Sequence, residues 1–223
     1  MRSSEHSLRR DWLIPAGLVL LSLVPVAAGA SRLMRLVTGG PNSIEDARFV
    51  VSPAPVSLHI VSVSLYAVIG AFQFAPRLRR AGAQWHRRAG WMLLPSGFLS
   101  ALTGLWMTLF YPRIETDSAA LFAIRLTVAS AMIATLILAF VALPRRAYRA
   151  HGAWMIRAYA LGQGAGTQVL THLPWIILLG TPGPASRAIL MAAGWGINIL
   201  VAEWAIRRSS PQVVSPHLPM RKV

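Results

Sequence analysis

The sequence predicts an all-α integral membrane protein with six transmembrane helices, and three observations support this fold class. More than half of the 223 residues are hydrophobic and only 13% are charged, whereas about a quarter are charged in a typical soluble domain. The charged residues cluster and leave apolar segments of about 19 to 25 residues, each able to cross a hydrocarbon layer of about 30 Å as a helix. Alternating ten-residue segments, the pattern of membrane β-strands, do not occur.

Six apolar segments set the boundaries of the predicted spans. Backbone polar groups in lipid must be satisfied within their own segment, so each span is expected to be a helix. We expect spans two to five to form a helical bundle, with the first and last spans flanking it. In chain order the spans cover about residues 12–30, 55–76, 89–111, 119–143, 152–173 and 187–206.

The Lys and Arg residues are distributed unevenly between the two sides of these spans. Fifteen of the 22 lie in the N-terminal tail (1–11), in the loops after spans two and four, and in the C-terminal tail (207–223). This bias follows the positive-inside rule and predicts that both tails are cytoplasmic. The C-terminal tail contains several prolines and is expected to be disordered. The five on the outer side are Arg32, Arg35, Arg48, Arg113 and Arg187.

The overall composition argues against a nucleic-acid partner and indicates where in the cell the protein lies. The net charge of +15 is explained by topology, and no basic domain remains to bind nucleic acid. The chain contains no cysteine, which excludes disulfides, thiolate metal sites and iron–sulfur clusters. Arg greatly outnumbers Lys, which fits a GC-rich bacterial genome. We therefore expect a multi-pass protein of the bacterial inner membrane, with the lipid bilayer as its partner.

The first span has a second interpretation. Its basic start, apolar middle and the small residues Ala28, Gly29 and Ala30 also fit a cleavable signal peptide. An apolar stretch of this length serves equally well as a transmembrane helix, and we favour the uncleaved span. Cleavage would leave five spans and the same orientation for the rest.

Two charged residues inside the spans are expected to pair. Arg157 lies about two turns inside the cytoplasmic edge of the fifth span, where an unpaired Arg costs about 2.5–3.5 kcal/mol on insertion scales. Glu203 in the last span lies at a similar depth from the same side. We therefore predict a structural ion pair between Arg157 and Glu203.

Arg125 is the charged residue that most strongly indicates a ligand. It lies about six residues into the fourth span from the outer side, and no acidic residue has equal depth in any span. The acidic residues of the outer loops, among them Glu115 and Asp117, are expected to be solvated. A backbone carbonyl, Gln168, a lipid phosphate and the acidic group of a bound ligand all remain open as partners of Arg125.

The fifth span is expected to place two histidines on one helical face, about 31 Å apart along the axis. His151 lies at its cytoplasmic end and His172 at its outer end. Between them, Gly162 and Gly166 form a G-x-x-x-G pair that allows another helix, or a flat cofactor, to approach closely. Helix packing is the default interpretation of these two glycines.

Four histidines near the two predicted membrane surfaces suggest a cofactor. Pairs of His on neighbouring helices hold haem in b-type cytochromes. One hypothesis is therefore haem b ligated by His86 and His151 at the cytoplasmic side, which requires spans three and five to be neighbours. His59 and His172 would offer a second pair at the outer side. In the alternative interpretation, His86 and His151 are ordinary interfacial residues.

Several segments resemble a known family. The most specific is "HGAWMIRAYAL", and "GAFQF" and "WHRRAG" match as well. Together they are similar, over about residues 56–206, to the bacterial membrane-protein family called domain of unknown function 2306. The resemblance implies a helical membrane fold and assigns no chemistry. The polar positions that match are His59, His86, Arg125, His151, Trp154, Arg157 and Asn198.

Two functional hypotheses follow from these residues. In the first, the protein is an electron carrier in which electrons cross the membrane through b-type haem, and Arg125 or Arg157 neutralises the haem propionates. In the second, it is a non-redox protein that handles a small solute or a lipid. Its polar cavity would then be lined by Arg125, Gln163, Gln168 and Asn198.

Overall fold

The computed structural model describes residues 2–39, 47–76, 78 and 83–209. Nearly all of these residues are helical and no strand occurs among them, which confirms the predicted all-α class. The helices are α1 (Arg2–Thr38), α2 (Ala47–Val51), α3 (Pro53–Phe72), α4 (Ala83–Phe110), α5 (Ala119–Ala142), α6 (Tyr148–Gly162), α7 (Gly164–Leu179) and α8 (Pro184–Arg208).

Five helical segments of the described residues are long and apolar enough to cross a membrane. They match the predicted spans one, two, three, four and six. The chain therefore has several apolar helices of membrane-spanning length, as the sequence predicts. The five segments are Asp11–Thr38, Pro53–Phe72, Gln84–Phe110, Ala119–Ala142 and Pro184–Arg208.

The predicted fifth span consists of two helices, so the prediction of one uninterrupted helix over 152–173 was wrong. Gln163 separates α6 from α7, with φ −80° and ψ 2°. The glycines on both sides of Gln163 lower the local helix propensity. The N–H of Gly166 also donates to the Gln163 carbonyl at 3.1 Å, which tightens the turn. With 15 and 16 residues, neither helix alone reaches the length of a span.

Three helices, α1, α4 and α7, extend six or more residues beyond their predicted boundaries, and α4 does so by beginning at Ala83. α1 has 37 residues and includes most of the predicted N-terminal tail. It continues until Gly39, whose φ of 66° is a conformation that glycine adopts easily. α7 continues past residue 173 to Leu179. The C-terminal tail from residue 210, predicted to be disordered, lies outside the described residues.

The helix ends carry recognisable signals. The Ser118 side chain accepts a hydrogen bond of 3.1 Å from the N–H of Leu121 and so caps α5. α3 and α8 each begin with a proline, whose fixed φ suits the first helical position. Arg207 and Arg208 in the last turn of α8 are favourable near the negative end of its dipole.

A buried tyrosine organises the centre of the protein. Tyr66 of α3 is only 1% exposed. A Cβ atom at Gly97 of α4 or at Gly162 of α6 would lie 2.8 or 2.9 Å from its ring, so glycine at both positions lets these helices close on the tyrosine. The Tyr159 hydroxyl of α6 donates to the Ala67 carbonyl of α3 at 2.7 Å. α3, α4 and α6 therefore share one core.

One end of the helices brings together α2, the segment 111–118 and the first turns of α3, α5 and α8. The Tyr111 hydroxyl donates to the Ser52 carbonyl at 2.6 Å, and its ring meets the Phe49 ring edge-on at 5.2 Å. We call this the Asp117 end, after the acidic residue of that segment.

Candidate functional site

Three arginines converge on one carboxylate at the Asp117 end. Asp117 binds Arg125 of α5 at 3.0 Å, Arg48 of α2 at 3.3 Å and Arg187 of α8 at 3.7 Å. The side chain of Asp117 is only 6% exposed. The expectation that this acid is solvated, and that Arg125 has no acidic partner, was therefore wrong. Side chains on a helix point toward its N-terminus, so Arg125 reaches back to the acid that precedes α5.

This cluster holds more donors than acceptors. Within the described part of the chain, three guanidinium groups share the single carboxylate of Asp117. Arg48 also donates to the Pro112 carbonyl at 3.1 Å, and Arg187 donates to the Thr116 hydroxyl. The buried Nε of Arg48 has no hydrogen-bond partner among the described residues. The cluster can therefore accept a further anion.

A cavity of about 430 Å³ begins at this cluster and runs between the helices. Its volume falls in the range of roughly 300–1,000 Å³ that is typical of small-molecule sites. The lining is mostly apolar, with a few polar groups that converge on the cavity. The polar residues that line it are Arg32, Arg48, His59, Ser100, Thr108, Tyr111, Arg125, Gln168, Arg187 and Trp195.

Arg125 and His59 lie nearer the Asp117 end of the cavity than the residues of its floor do. His59 and Arg125 each lie six residues beyond the first residue of their helices, a rise of about 9 Å. Met132 lies thirteen residues into α5, a rise of about 20 Å. Leu161 and Gly162 also line the floor. The cavity is thus cationic at its start and apolar at its end.

His59 is held against α4 in one tautomer. Its Nδ1 lies 3.0 Å from the Ser100 carbonyl and 3.2 Å from the Thr103 hydroxyl. A carbonyl can only accept, so Nδ1 carries the proton, and in the neutral ring Nε2 is then a hydrogen-bond acceptor. A Cβ atom at Gly104 would lie 3.3 Å from the His59 ring, so glycine lets the ring lie close to α4.

The polar residues that the sequence assigned to a cavity divide into two groups. Arg125 and Gln168 line it, whereas Gln163 and Asn198 do not. Gln163 donates to the Leu18 carbonyl of α1 at 2.9 Å and to the Ser22 hydroxyl. Asn198 accepts from the Thr167 hydroxyl at 2.6 Å and donates to the Ala160 carbonyl, so it joins α8 to α6 and α7.

Sequence reasoning missed the other arginines of the cluster. Arg48 and Arg187 were identified only as exceptions to the positive-inside bias. Of the five arginines on the predicted outer side, three line the cavity, including Arg32. Arginine is generally rare on the outer side of a membrane protein, so the arginines found there could have indicated the site.

Arg157 and Glu203, predicted to pair, are in contact in the structure. Arg157 Nε lies 2.5 Å from Glu203 Oε1, and Arg157 Nη2 lies 3.0 Å from Oε2. Two parallel hydrogen bonds of this kind fix the geometry as well as the charge. The guanidinium also lies over the Trp154 ring, 4.5 Å from its centroid. The pair joins α6 to α8, away from the cavity lining.

The histidines proposed as haem ligands occupy different environments. His151 Nδ1 bonds to the Ala139 carbonyl of α5 at 2.8 Å, and His172 Nδ1 bonds to the Gln168 carbonyl of its own helix at 2.8 Å. His86 lies in the first turn of α4, which contacts α6. The described residues contain no group of three or more His, Cys, Asp or Glu that could hold a metal ion. The haem ligands remain a sequence prediction.

Apolar helices of membrane length, linked by a buried ion cluster and enclosing a cavity, define a multi-pass helical membrane protein. The family described as "Predicted membrane protein (DUF2306)" matches residues 56–206, and the chain belongs to it, as the resemblance implied. The matched segment contains His59, Asp117, Arg125 and Arg187, whereas Arg48 precedes it. No curated protein and no solved structure matches the chain.

Proposed function

We propose that the protein binds an amphiphilic ligand, with an acidic head group at the arginine cluster and an apolar tail in the cavity. The observation that carries this proposal is the gradient along one cavity, from Arg48, Arg125 and Arg187 to the apolar floor at Met132. This form of the non-redox hypothesis places Arg125 at the centre of the site.

The arginine cluster favours an acidic head group because guanidinium binds carboxylate and phosphate through parallel hydrogen bonds. Among the described residues, Asp117 compensates one positive charge of the three arginines, and we propose that the surplus binds the ligand. The apolar floor favours a tail, since each Å² of apolar surface removed from water contributes about 25 cal/mol. A small inorganic anion would leave that floor unused.

The charge bias of the loops supports an entry route. If the Arg-rich loops face the cytoplasm of a bacterial inner membrane, the Asp117 end faces the opposite compartment. The ligand then reaches the cavity from the outer leaflet or from the space beyond it. The protein acts as a receptor or carrier for that ligand.

Replacing Arg125 by glutamine tests the proposal. Myristate is titrated against the protein in nanodiscs of zwitterionic lipid, and bound ligand is counted by native mass spectrometry. We expect the R125Q variant to bind at least tenfold more weakly, because a hydrogen bond to a charged group contributes about 1.5–3 kcal/mol. Folding should persist, since Asp117 retains Arg48 and Arg187 as partners.

The matched control is Arg113→Gln. Arg113 lies in the segment 111–118 that also carries Asp117. Its guanidinium stacks on the Phe122 ring, 4.6 Å from the centroid, and it does not line the cavity. Its replacement should leave myristate binding unchanged. Equal affinities of R125Q and the unaltered protein would reject the proposed site. Inorganic phosphate that binds as tightly as myristate would reject an amphiphilic ligand.

The haem-binding electron carrier is a second candidate, favoured by one contact. The Nδ1 proton of His151 is directed to the Ala139 carbonyl, which leaves Nε2 in the form that ligates iron. For this hypothesis we expect protein from haem-replete cells to show a Soret band that sharpens on reduction with dithionite. The band should be lost in His151→Ala and kept in His217→Ala. A colourless preparation would refute haem binding.

A further inference from the structure

We infer that His59 recognises a hydroxyl group on the ligand, so the ligand class is a hydroxylated acidic lipid. This inference rests on the proposed function and names a feature that the arginine cluster alone does not require. The hydroxyl lies close to the acidic group, as in a 3-hydroxy fatty acid or in the glycerol of a lysophospholipid.

The first argument is the tautomer of His59. Its Nδ1 proton is directed to the Ser100 carbonyl, so the neutral ring presents Nε2 as an acceptor. His59 lines the cavity, and its Nε2 has no hydrogen-bond partner among the described residues. This acceptor is therefore available to a ligand, and an O–H donor at this point would form a hydrogen bond that the arginine cluster does not provide.

The second argument is the position of His59 relative to Arg125. Both residues lie about 9 Å along their helices from the Asp117 end, and both line the same cavity. The Arg125 guanidinium extends back to Asp117, so a head group bound there lies nearer the Asp117 end than the Cα atom of His59 does. The first few carbon atoms of the ligand then lie near the depth of His59. A hydroxyl at the far end of the tail would lie instead at the apolar floor near Met132.

The third argument concerns the other neutral polar groups of the lining. The Thr108 hydroxyl donates to the Gly104 carbonyl at 2.8 Å, and the Trp195 indole donates to the Leu161 carbonyl at 3.2 Å. The Gln168 amide N–H donates to the Met191 carbonyl at 3.3 Å. These donors are already used, whereas the Gln168 amide oxygen and the hydroxyl oxygens of Ser100 and Thr108 are acceptors that compete with His59 for a ligand hydroxyl.

A pair of ligands that differ in one hydroxyl tests the inference. Binding of 3-hydroxymyristate and of myristate is measured by native mass spectrometry of the protein in zwitterionic nanodiscs. We expect the unaltered protein to bind 3-hydroxymyristate about three- to tenfold more tightly, the range given by one neutral hydrogen bond. His59→Phe keeps a flat ring but lacks the acceptor, so the ratio of the two affinities should fall to about one, whatever the change in myristate affinity itself.

Gln168→Met is the matched variant and should keep the preference. Equal binding of the two ligands by the unaltered protein overturns the inference and leaves the proposed function intact. Loss of the preference in Gln168→Met but not in His59→Phe also overturns it. If neither ligand binds, the proposed function fails and the inference fails with it.

Discussion

Replacing Asp117 by asparagine is expected to destabilise the protein by about 3–5 kcal/mol, the usual cost of removing one partner from a buried ionic cluster. The carboxylate is nearly inaccessible and is bound by arginines from α2, α5 and α8. Asparagine has almost the same shape, so the loss is electrostatic. The three guanidinium groups would repel one another without a compensating charge. The thermal midpoint of the detergent-solubilised variant measures the effect.

An acidic ligand should partly replace the missing carboxylate. Myristate is therefore expected to raise the midpoint of the Asp117→Asn variant more than that of the unaltered protein, since ligand binding stabilises the folded state by mass action. Glu115→Gln is the control, because Glu115 lies in the same segment but is exposed. If the two substitutions lower the midpoint equally, Asp117 does not hold these helices together.

Replacing Gly166 by alanine is expected to destabilise the protein by about 1–3 kcal/mol, as overpacking of a tight contact does. The added Cβ would lie 2.5 Å from the Leu21 backbone oxygen of α1. A backbone atom cannot rotate away as the end of a side chain can, so α1 must shift relative to α7. This cost exceeds the gain in helix propensity of about 1 kcal/mol that alanine brings.

Gly152→Ala provides the matched control in α6. A Cβ atom at Gly152 meets nothing within 4 Å, so only the propensity gain remains. The two substitutions should therefore shift the thermal midpoint in opposite directions. A shift of the same sign and size in both variants would show that α1 is not packed against Gly166 in this way.

The sequence predicted the parts of this structure that depend on distance along the chain. Apolar length identified the five long helices, because the hydrocarbon layer sets one minimum length for all of them. Equal depth identified Arg157 and Glu203 as partners, and both side chains lie on the helices predicted to carry them. Helix packing at Gly166 also followed from the small-residue spacing.

The arginine cluster could not be predicted in the same way. Depth was counted from Cα positions, whereas the long side chain of Arg125 extends back along α5 to Asp117. The partners Arg48 and Arg187 come from segments 69 and 70 residues away from Asp117 in opposite directions. Only the folded chain shows that these segments meet. For the same reason, the sequence places His59 near a membrane surface but does not show that its Nδ1 bonds to the Ser100 carbonyl of α4.

The hydrogen bonds of Gln163 have a consequence for the insertion of the protein into the membrane. Gln163 interrupts the helical run and donates to Leu18, a residue 145 positions earlier. At synthesis rates of about 5–20 residues per second, α1 must wait roughly 7–30 s for this amide to emerge from the ribosome. During that interval α1 has to remain near the site of insertion. If α1 diffused away, Gln163 would lie in lipid without the Leu18 carbonyl and the Ser22 hydroxyl that bind its amide.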